Sequence, residues 1–334
     1  MEPTKSGPPE AEKAGGEVVQ IPDRRILVTG SSGMVGSAVL RLLHQRRARR
    51  VLAPGRDQLD LTNQSQVNRF FRDEKPEIVI FAAGLVGGIN ANRTYPADFL
   101  AENLAMGVLT IDAAFRHGVK RFLYLGSTCI YPRDARQPIR EDALLTGPLE
   151  STNEAYALAK IAGLKLCQAY RRQRGVLFHS AMPTNLYGPG DNYHPRHSHV
   201  LPALLQRFHA ARIEGQSSVT IWGSGKPRRE FLHVDDLADA LLHLVSIADP
   251  PDWVNVGTGQ DVSIGELARM IAAVVGFAGT IELDLTQPDG TPVKRTDTTL
   301  LHSLGWRARI PLAEGLRMTY ESYLSELERG TMRG

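Results

Sequence analysis

Arg25-Ile-Leu-Val-Thr-Gly-Ser-Ser-Gly-Met-Val-Gly36 is the stretch whose reading decides the fold. Ile26, Leu27 and Val28 form the short, wholly apolar run expected of a strand buried on both faces. The glycines after it are spaced GxxGxxG and lead into an apolar helical pattern. Such a turn brings backbone N–H groups and a helix N-terminus onto a pyrophosphate. A Cβ at Gly30, Gly33 or Gly36 would forbid the turn or hold the helix away from the phosphate. The stretch predicts a dinucleotide site, with Ser31, Ser32, Met34 and Val35 in the same turn. A small-residue turn kept for packing alone is the competing reading until other residues are considered.

Outward from this turn, strand and helix patterns alternate. Arg50 to Pro54 reads as a second strand, Gln64 begins a helix, and Ile78 to Gly84 is another buried strand whose end, Ala82-Ala83-Gly84, lets backbone approach a cofactor. Pro96 to Phe115 reads as a long helix carrying Asn103, and Arg121 to Ser127 as the next strand. Ser151 to Tyr170 is helical, Val176 to Met182 returns to the sheet, and Pro183 to Ser198 is a loop rich in Pro, Gly, Asn and Tyr. Long ordered loops over a sheet edge are often binding elements. The pattern predicts an α/β chain, with a Rossmann-like parallel sheet flanked by helices and a smaller mixed α/β substrate-binding lobe. Residues 1–20 are expected to be a disordered extension. Residues 21–182 are expected to be predominantly the cofactor-binding domain, and 183–334 predominantly the substrate-binding region with crossovers completing the first domain.

No acidic residue ends the second strand at the ribose position, and Arg56 lies just beyond it. An arginine there pairs with a 2′-phosphate that a carboxylate would repel, which favours NADP over NAD. Asp57 is near enough to keep NAD open. Asp60 can hold the adenine amine, or Thr62 and Asn63 can cap the following helix.

The 334 residues carry 39 basic and 36 acidic groups, a formal charge of +3. A nearly balanced chain whose longest basic run is Arg46 to Arg50 gives little support to nucleic-acid binding. Cys129 and Cys167 make neither a disulfide framework nor a zinc cluster, so no metal is expected and a reducing, cytoplasmic setting fits. No apolar run reaches the ~18 residues of a membrane span, and the first twenty residues lack the apolar core of a signal peptide.

Tyr156 and Lys160, four residues apart in a helical segment, share a face. An ammonium beside a phenol favours the phenolate and can hold a nicotinamide ribose, which makes the tyrosine a proton donor near neutral pH. Ser127, at a strand end, can hydrogen-bond the same substrate oxygen where an alkoxide develops. Cys129, two residues on, points to Ser127's side if the strand continues; a buried structural thiol is the other reading. His194, His197 and His199 cluster in the long loop without a carboxylate or cysteine to complete a metal set.

Gly30 to Gly36, Ser127 and Tyr156-Ala-Leu-Ala-Lys160 resemble the extended short-chain dehydrogenase/reductase superfamily across residues 25 to about 325. Leu125 to Pro132, Met182 to Pro189, Asn192 to Pro195, Ser198 to Val200 and Arg229 to Asp236 more specifically resemble the GDP-L-fucose synthase family. That resemblance implies an NADPH-dependent enzyme that epimerises GDP-4-dehydro-6-deoxy-D-mannose at C3 and C5, then reduces C4 to give GDP-L-fucose. It implies Ser127, Tyr156 and Lys160 for reduction, Cys129 and His199 as the epimerisation pair, and Asn185, Trp222, Arg229 and Lys294 around the GDP-sugar. It further implies a homodimer paired through two long helices. Ser31 and Ser32 depart from the basic or other polar residues frequent in the family's turn. A related nucleotide-sugar epimerase or 4-reductase acting on a different sugar is the alternative.

Overall fold

The computed structural model describes residues 21–195, 197–287 and 289–333. The expected extension, residues 1–20, lies outside them. The chain opens with β1 (Arg25–Thr29), α1 (Met34–Gln45), β2 (Arg50–Leu52), α2 (Gln64–Glu74), β3 (Ile78–Phe81), α3 (Ile89–Thr94), α4 (Pro96–Arg116), β4 (Arg121–Leu125), α5 (Glu154–Arg174) and β5 (Leu177–Pro183). It continues through β6 (Asn185–Tyr187), α6 (Val200–Ile213), β7 (Ser218–Trp222), β8 (Arg228–His233), α7 (Val234–Ser246) and β9 (Trp253–Val256). It ends with β10 (Asp261–Ser263), α8 (Ile264–Val275), β11 (Thr280–Asp284), β12 (Val293–Lys294), α9 (Thr299–Ser303) and α10 (Leu312–Arg329).

Six strands form one parallel sheet in the order β2-β1-β3-β4-β5-β9. The period of two divides its side chains between two cores. Ile26 and Val28 pack with α1 and α7, whereas Leu27, Val79, Phe81, Phe122 and Tyr124 pack with residues of α2, α4 and α5. This is why the central strands read as continuous apolar runs: every residue of β3 is buried, each side chain contributing about 1.5–3 kcal/mol of transfer free energy. The Gly30–Gly36 turn thus follows a strand in a layer that is covered on both faces.

The smaller lobe gathers around α6, α8 and α10, with Leu205, Phe208, Leu267, Ile271, Leu316 and Tyr323 in its core. Its strands pair as β10-β8-β12, with β6 also on β8, and as β7 with β11. The chain leaves the parallel sheet after β5, returns for α7 and β9, and leaves again. The stretch 183–198 is therefore not all loop, because Asn185–Tyr187 pairs with Phe231–His233. Three residues have no periodicity of their own; the partner strand makes them a strand. Among the described residues no helix is long and apolar enough to cross a membrane.

Candidate active site

The glycine turn is built as a cradle. Gly30 has φ +65°, and a Cβ on it would lie 2.7 Å from the Ala82 carbonyl oxygen. A Cβ on Gly36 would lie 2.1 Å from the Gly30 carbonyl oxygen, so only glycine allows α1 to start this close to β1. Gly33 N–H donates to Gly30, and the free N-terminus of α1, with Met34 and Val35 in its first turn, lies directly behind. A backbone cradle closed to side chains and backed by a helix N-terminus fits a dinucleotide pyrophosphate. The Ser31 hydroxyl donates to the carbonyls of Ala53 and Pro54, 3.3 and 3.2 Å away. It thereby joins the turn to the end of β2, while Ser32 is exposed. Arg56, just beyond, is exposed and loosely paired with Glu102 at 3.9 Å. Asp60 accepts from the Thr62 N–H and hydroxyl, which holds its carboxyl below the ordinary range. Asn63 caps α2 by accepting from Gln66 N–H. The adenine reading of Asp60 thus competes with a turn that already engages one carboxylate oxygen.

At the end of β3, Ala83 N–H donates to the Thr29 hydroxyl, and Asn103 both accepts from and donates to the Leu85 backbone at 3.0 Å. A Cβ on Gly84 would meet Asn103 Oδ1 at 3.2 Å and Lys160 Nζ at 3.4 Å. Two sequence-distant helices, α4 and α5, therefore converge on the Ala82–Gly84 strand end.

Beyond β4, the chain departs from the extended run expected through Cys129. Residues Thr128–Ile130 make a 3-10 turn, and the Ser127 hydroxyl caps it by accepting from Cys129 N–H at 3.2 Å. Ser127 and Cys129 are neighbours through a capped turn, not through the two-residue strand period. Cys129 Sγ receives the Asn153 amide Nδ2 at 3.3 Å, and Lys294 Nζ stands 3.9 Å away. Asn153 opens α5, so the thiol also sits near that helix's positive end. Cys167, by contrast, is fully buried in the sheet core, where desolvation pushes its thiol up.

Tyr156 and Lys160 are both buried on α5. Lys160 Nζ donates to the Leu125 carbonyl at 3.0 Å and lies 5.7 Å from the centroid of the Tyr156 ring. Burial lowers the Lys160 pKa from 10.5 to about 8. Burial, and secondarily the nearby Cys129, pushes the Tyr156 phenol well above 10. The expected phenolate-favouring effect of the lysine is thus outweighed by desolvation, and Tyr156 is held as a neutral phenol with a proton to give. Its ring packs edge-on against Phe99, in a cluster with Ala91, Leu85 and Cys129.

His199 immediately precedes α6 and is exposed at the surface, although the protein packed around its ring displaces enough water to lower its proton affinity. His194 and His197 stack on each other with ring centroids 4.3 Å apart. Among the described residues no three His, Cys, Asp or Glu side chains are grouped to hold a metal ion.

The remaining sequence-derived residues lie along β6, β8 and β12, and at the end of β7 in a separate two-stranded sheet. Asn185 Nδ2 donates to the Glu230 carbonyl at 2.8 Å, and Lys294 pairs in register with Arg229. Arg229 donates to the carbonyls of Arg228 and Thr291. It forms no surface pair with Glu230, whose fully buried carboxylate accepts from Thr296 N–H and hydroxyl and from Gly259 N–H at 2.7–2.8 Å. Trp222 is 67% exposed at the end of β7. Asn153 and Glu230 were not legible as site residues. Asn153 resembles a helix-opening residue, and Glu230 sits beside Arg229 as though it were its ion-pair partner.

Residues 26–257 match the NAD dependent epimerase/dehydratase family. The chain belongs to that family. GDP-L-fucose synthase 1 of Arabidopsis thaliana is 52% identical to it over 95% of this chain and 99% of that protein. A GDP-mannoheptose C4 reductase from Campylobacter jejuni, solved with NADP bound, is 37% identical, with a TM-score of 0.85 over 92% of this chain and 100% of its own. A GDP-L-fucose synthetase from Naegleria fowleri bound to NADP is 27% identical, with a TM-score of 0.87 over 96% and 99%.

Proposed function

We propose that this chain is an NADPH-dependent GDP-L-fucose synthase, converting GDP-4-dehydro-6-deoxy-D-mannose to GDP-L-fucose by 3,5-epimerisation and 4-keto reduction. The observation that carries the reading is a buried Tyr156–Lys160 pair whose tyrosine packs in one cluster with a thiol, Cys129, that faces an amide and an ammonium. The glycine cradle, Ala82–Gly84 and Asn103 would hold the cofactor, with Arg56 at the 2′-phosphate and Lys160 at the nicotinamide ribose. NADPH, when bound, supplies the hydride delivered to sugar C4.

The residues' parts follow from the ketone. A C4 carbonyl acidifies the protons at C3 and C5, and Cys129 as thiolate removes them. The hydroxyls of Ser127 and Tyr156 hold the enolate oxygen. His199 returns a proton to the opposite face, inverting each centre in turn. Tyr156, kept protonated by burial, then gives its proton to O4 during reduction. Asn185, Trp222, Arg229 and Lys294 would contact the GDP-sugar, with Arg229 at its diphosphate. The exposed apolar residues Val108 on α4 and Leu158 on α5 support a homodimer paired through those helices, and two free cysteines fit a cytoplasmic setting.

Purified protein given NADPH and GDP-4-dehydro-6-deoxy-D-mannose should consume both and form GDP-L-fucose. A product reduced at C4 without inversion at C3 and C5 would refute the bifunctional reading.

A further inference from the structure

The segment between β3 and α4 is fastened at two points. Asn103 grips the Leu85 backbone through both its amide atoms. Asn92, on α3 and only 7% exposed, donates Nδ2 to the carbonyls of Gly87 and Gly88 at 2.8 and 3.1 Å. Gly88 N–H in turn donates to the His197 carbonyl at 2.8 Å. This crossing of two backbones excludes side chains: a Cβ on Gly88 would lie 2.5 Å from the Ser198 carbonyl oxygen, and one on Gly87 would lie 2.8 Å from Ala91 Cβ. Tyr95, following α3, meets the His197 ring edge-on.

His199 lies two residues past that bond. Its own carbonyl accepts from Ala203 N–H as α6 begins. The backbone carrying this imidazole is thus fixed by α6 on one side and by Gly88 on the other. From the adjacent position α3 places Ala91 in the cluster that contains Phe99, Tyr156 and Cys129. One short helix therefore touches the reduction site and fastens the histidine loop.

We propose that Asn92 and Gly88 are positioning residues for epimerisation: Asn92 fixes the Gly87–Gly88 turn, and Gly88 fixes the loop that carries His199. This rests on the reading of His199 as proton donor. The step served is transfer of one proton from the imidazole to an enolate carbon, an N–H bond breaking as a C–H bond forms, with no change of oxidation state. Reduction needs no such transfer from His199, so the two half-reactions should separate.

The test uses the full chain with NADP+ in D2O, following deuterium wash-in at C3 and C5 of GDP-4-dehydro-6-deoxy-D-mannose. NADPH affinity, NADPH oxidation and product stereochemistry are measured in parallel. Asn92→Ala should slow wash-in about tenfold and Gly88→Ala about a hundredfold, the scale expected when a reacting group is displaced by about 1 Å. NADPH affinity should stay within about twofold, and un-inverted C4 alcohol should accumulate. If Gly88→Ala does not fold, Asn92→Ala, which adds no atom, decides. Wild-type wash-in in Asn92→Ala while His199→Asn abolishes it overturns the proposal, as does a parallel loss of wash-in and NADPH affinity. Product from His199→Asn that is inverted at C3 and C5 as in wild type overturns the donor reading beneath it, and that variant alone tells the two failures apart.

Discussion

Replacing Lys160 with Met should change how stability depends on pH. The ammonium is 3% exposed, donates to the Leu125 carbonyl at 3.0 Å, and lies 5.1–5.9 Å from the ring centroids of Phe81, Tyr124 and Tyr156. Desolvation lowers its pKa from 10.5 to about 8, which corresponds to about 3 kcal/mol between the protonation states. Because the folded pKa lies below the unfolded one, both states carry the proton at pH 7, and the cost of burying charge is fully present. Between pH 8 and 10.5 the folded state loses its proton while the unfolded state keeps it, so stability rises with pH. Wild type should therefore gain about 3 kcal/mol relative to Lys160→Met across this window. Groups common to both proteins cancel in the difference, and the lost hydrogen bond to Leu125, about 1 kcal/mol, displaces the whole curve without changing its slope. Urea unfolding of both cofactor-free proteins from pH 7 to 10.5 measures it. A difference that stays flat to about 0.5 kcal/mol would refute the assignment of a strongly desolvated lysine.

Gly36→Ala should reduce NADPH affinity more than a hundredfold by equilibrium titration, because its Cβ would stand 2.1 Å from the Gly30 carbonyl oxygen and force the turn open. Tyr156→Phe should cut C4 reduction by about 10²–10⁴-fold in NADPH oxidation while NADPH still binds, since a positioned proton donor contributes on that scale. Lys294→Met should slow deuterium wash-in at C3 and C5 by about tenfold, with NADPH affinity unchanged; wild-type wash-in would show that its 3.9 Å approach to Cys129 has no part in the chemistry.

The parallel sheet was legible because its strands are short and buried on both faces. Ile26, Leu27 and Val28 had to be apolar whichever face each one met, so burial appears as composition alone. The glycine turn was legible for a related reason, since steric exclusion of Cβ leaves one residue type. Tyr156 and Lys160 could be paired because helical periodicity is local. Beyond local geometry the sequence misleads. It extended the strand through Cys129, where the Ser127 hydroxyl instead caps a 3-10 turn, and it left Asn185–Tyr187 in a loop that β8 makes into a strand.

By itself, then, the sequence determined the order of strands and helices, the cofactor turn and the residue types able to reduce a ketone, all of which depend on neighbours a few positions apart. Only the tertiary structure decided what surrounds each reactive group. It brings Asn153 and Lys294, 24 and 165 residues away along the chain, to the Cys129 sulfur. It also removes Tyr156 and Lys160 from water, so that desolvation outweighs the attraction expected between them. Proton affinities depend on burial and on the charges within a few ångströms, and neither is a property of spacing along a chain.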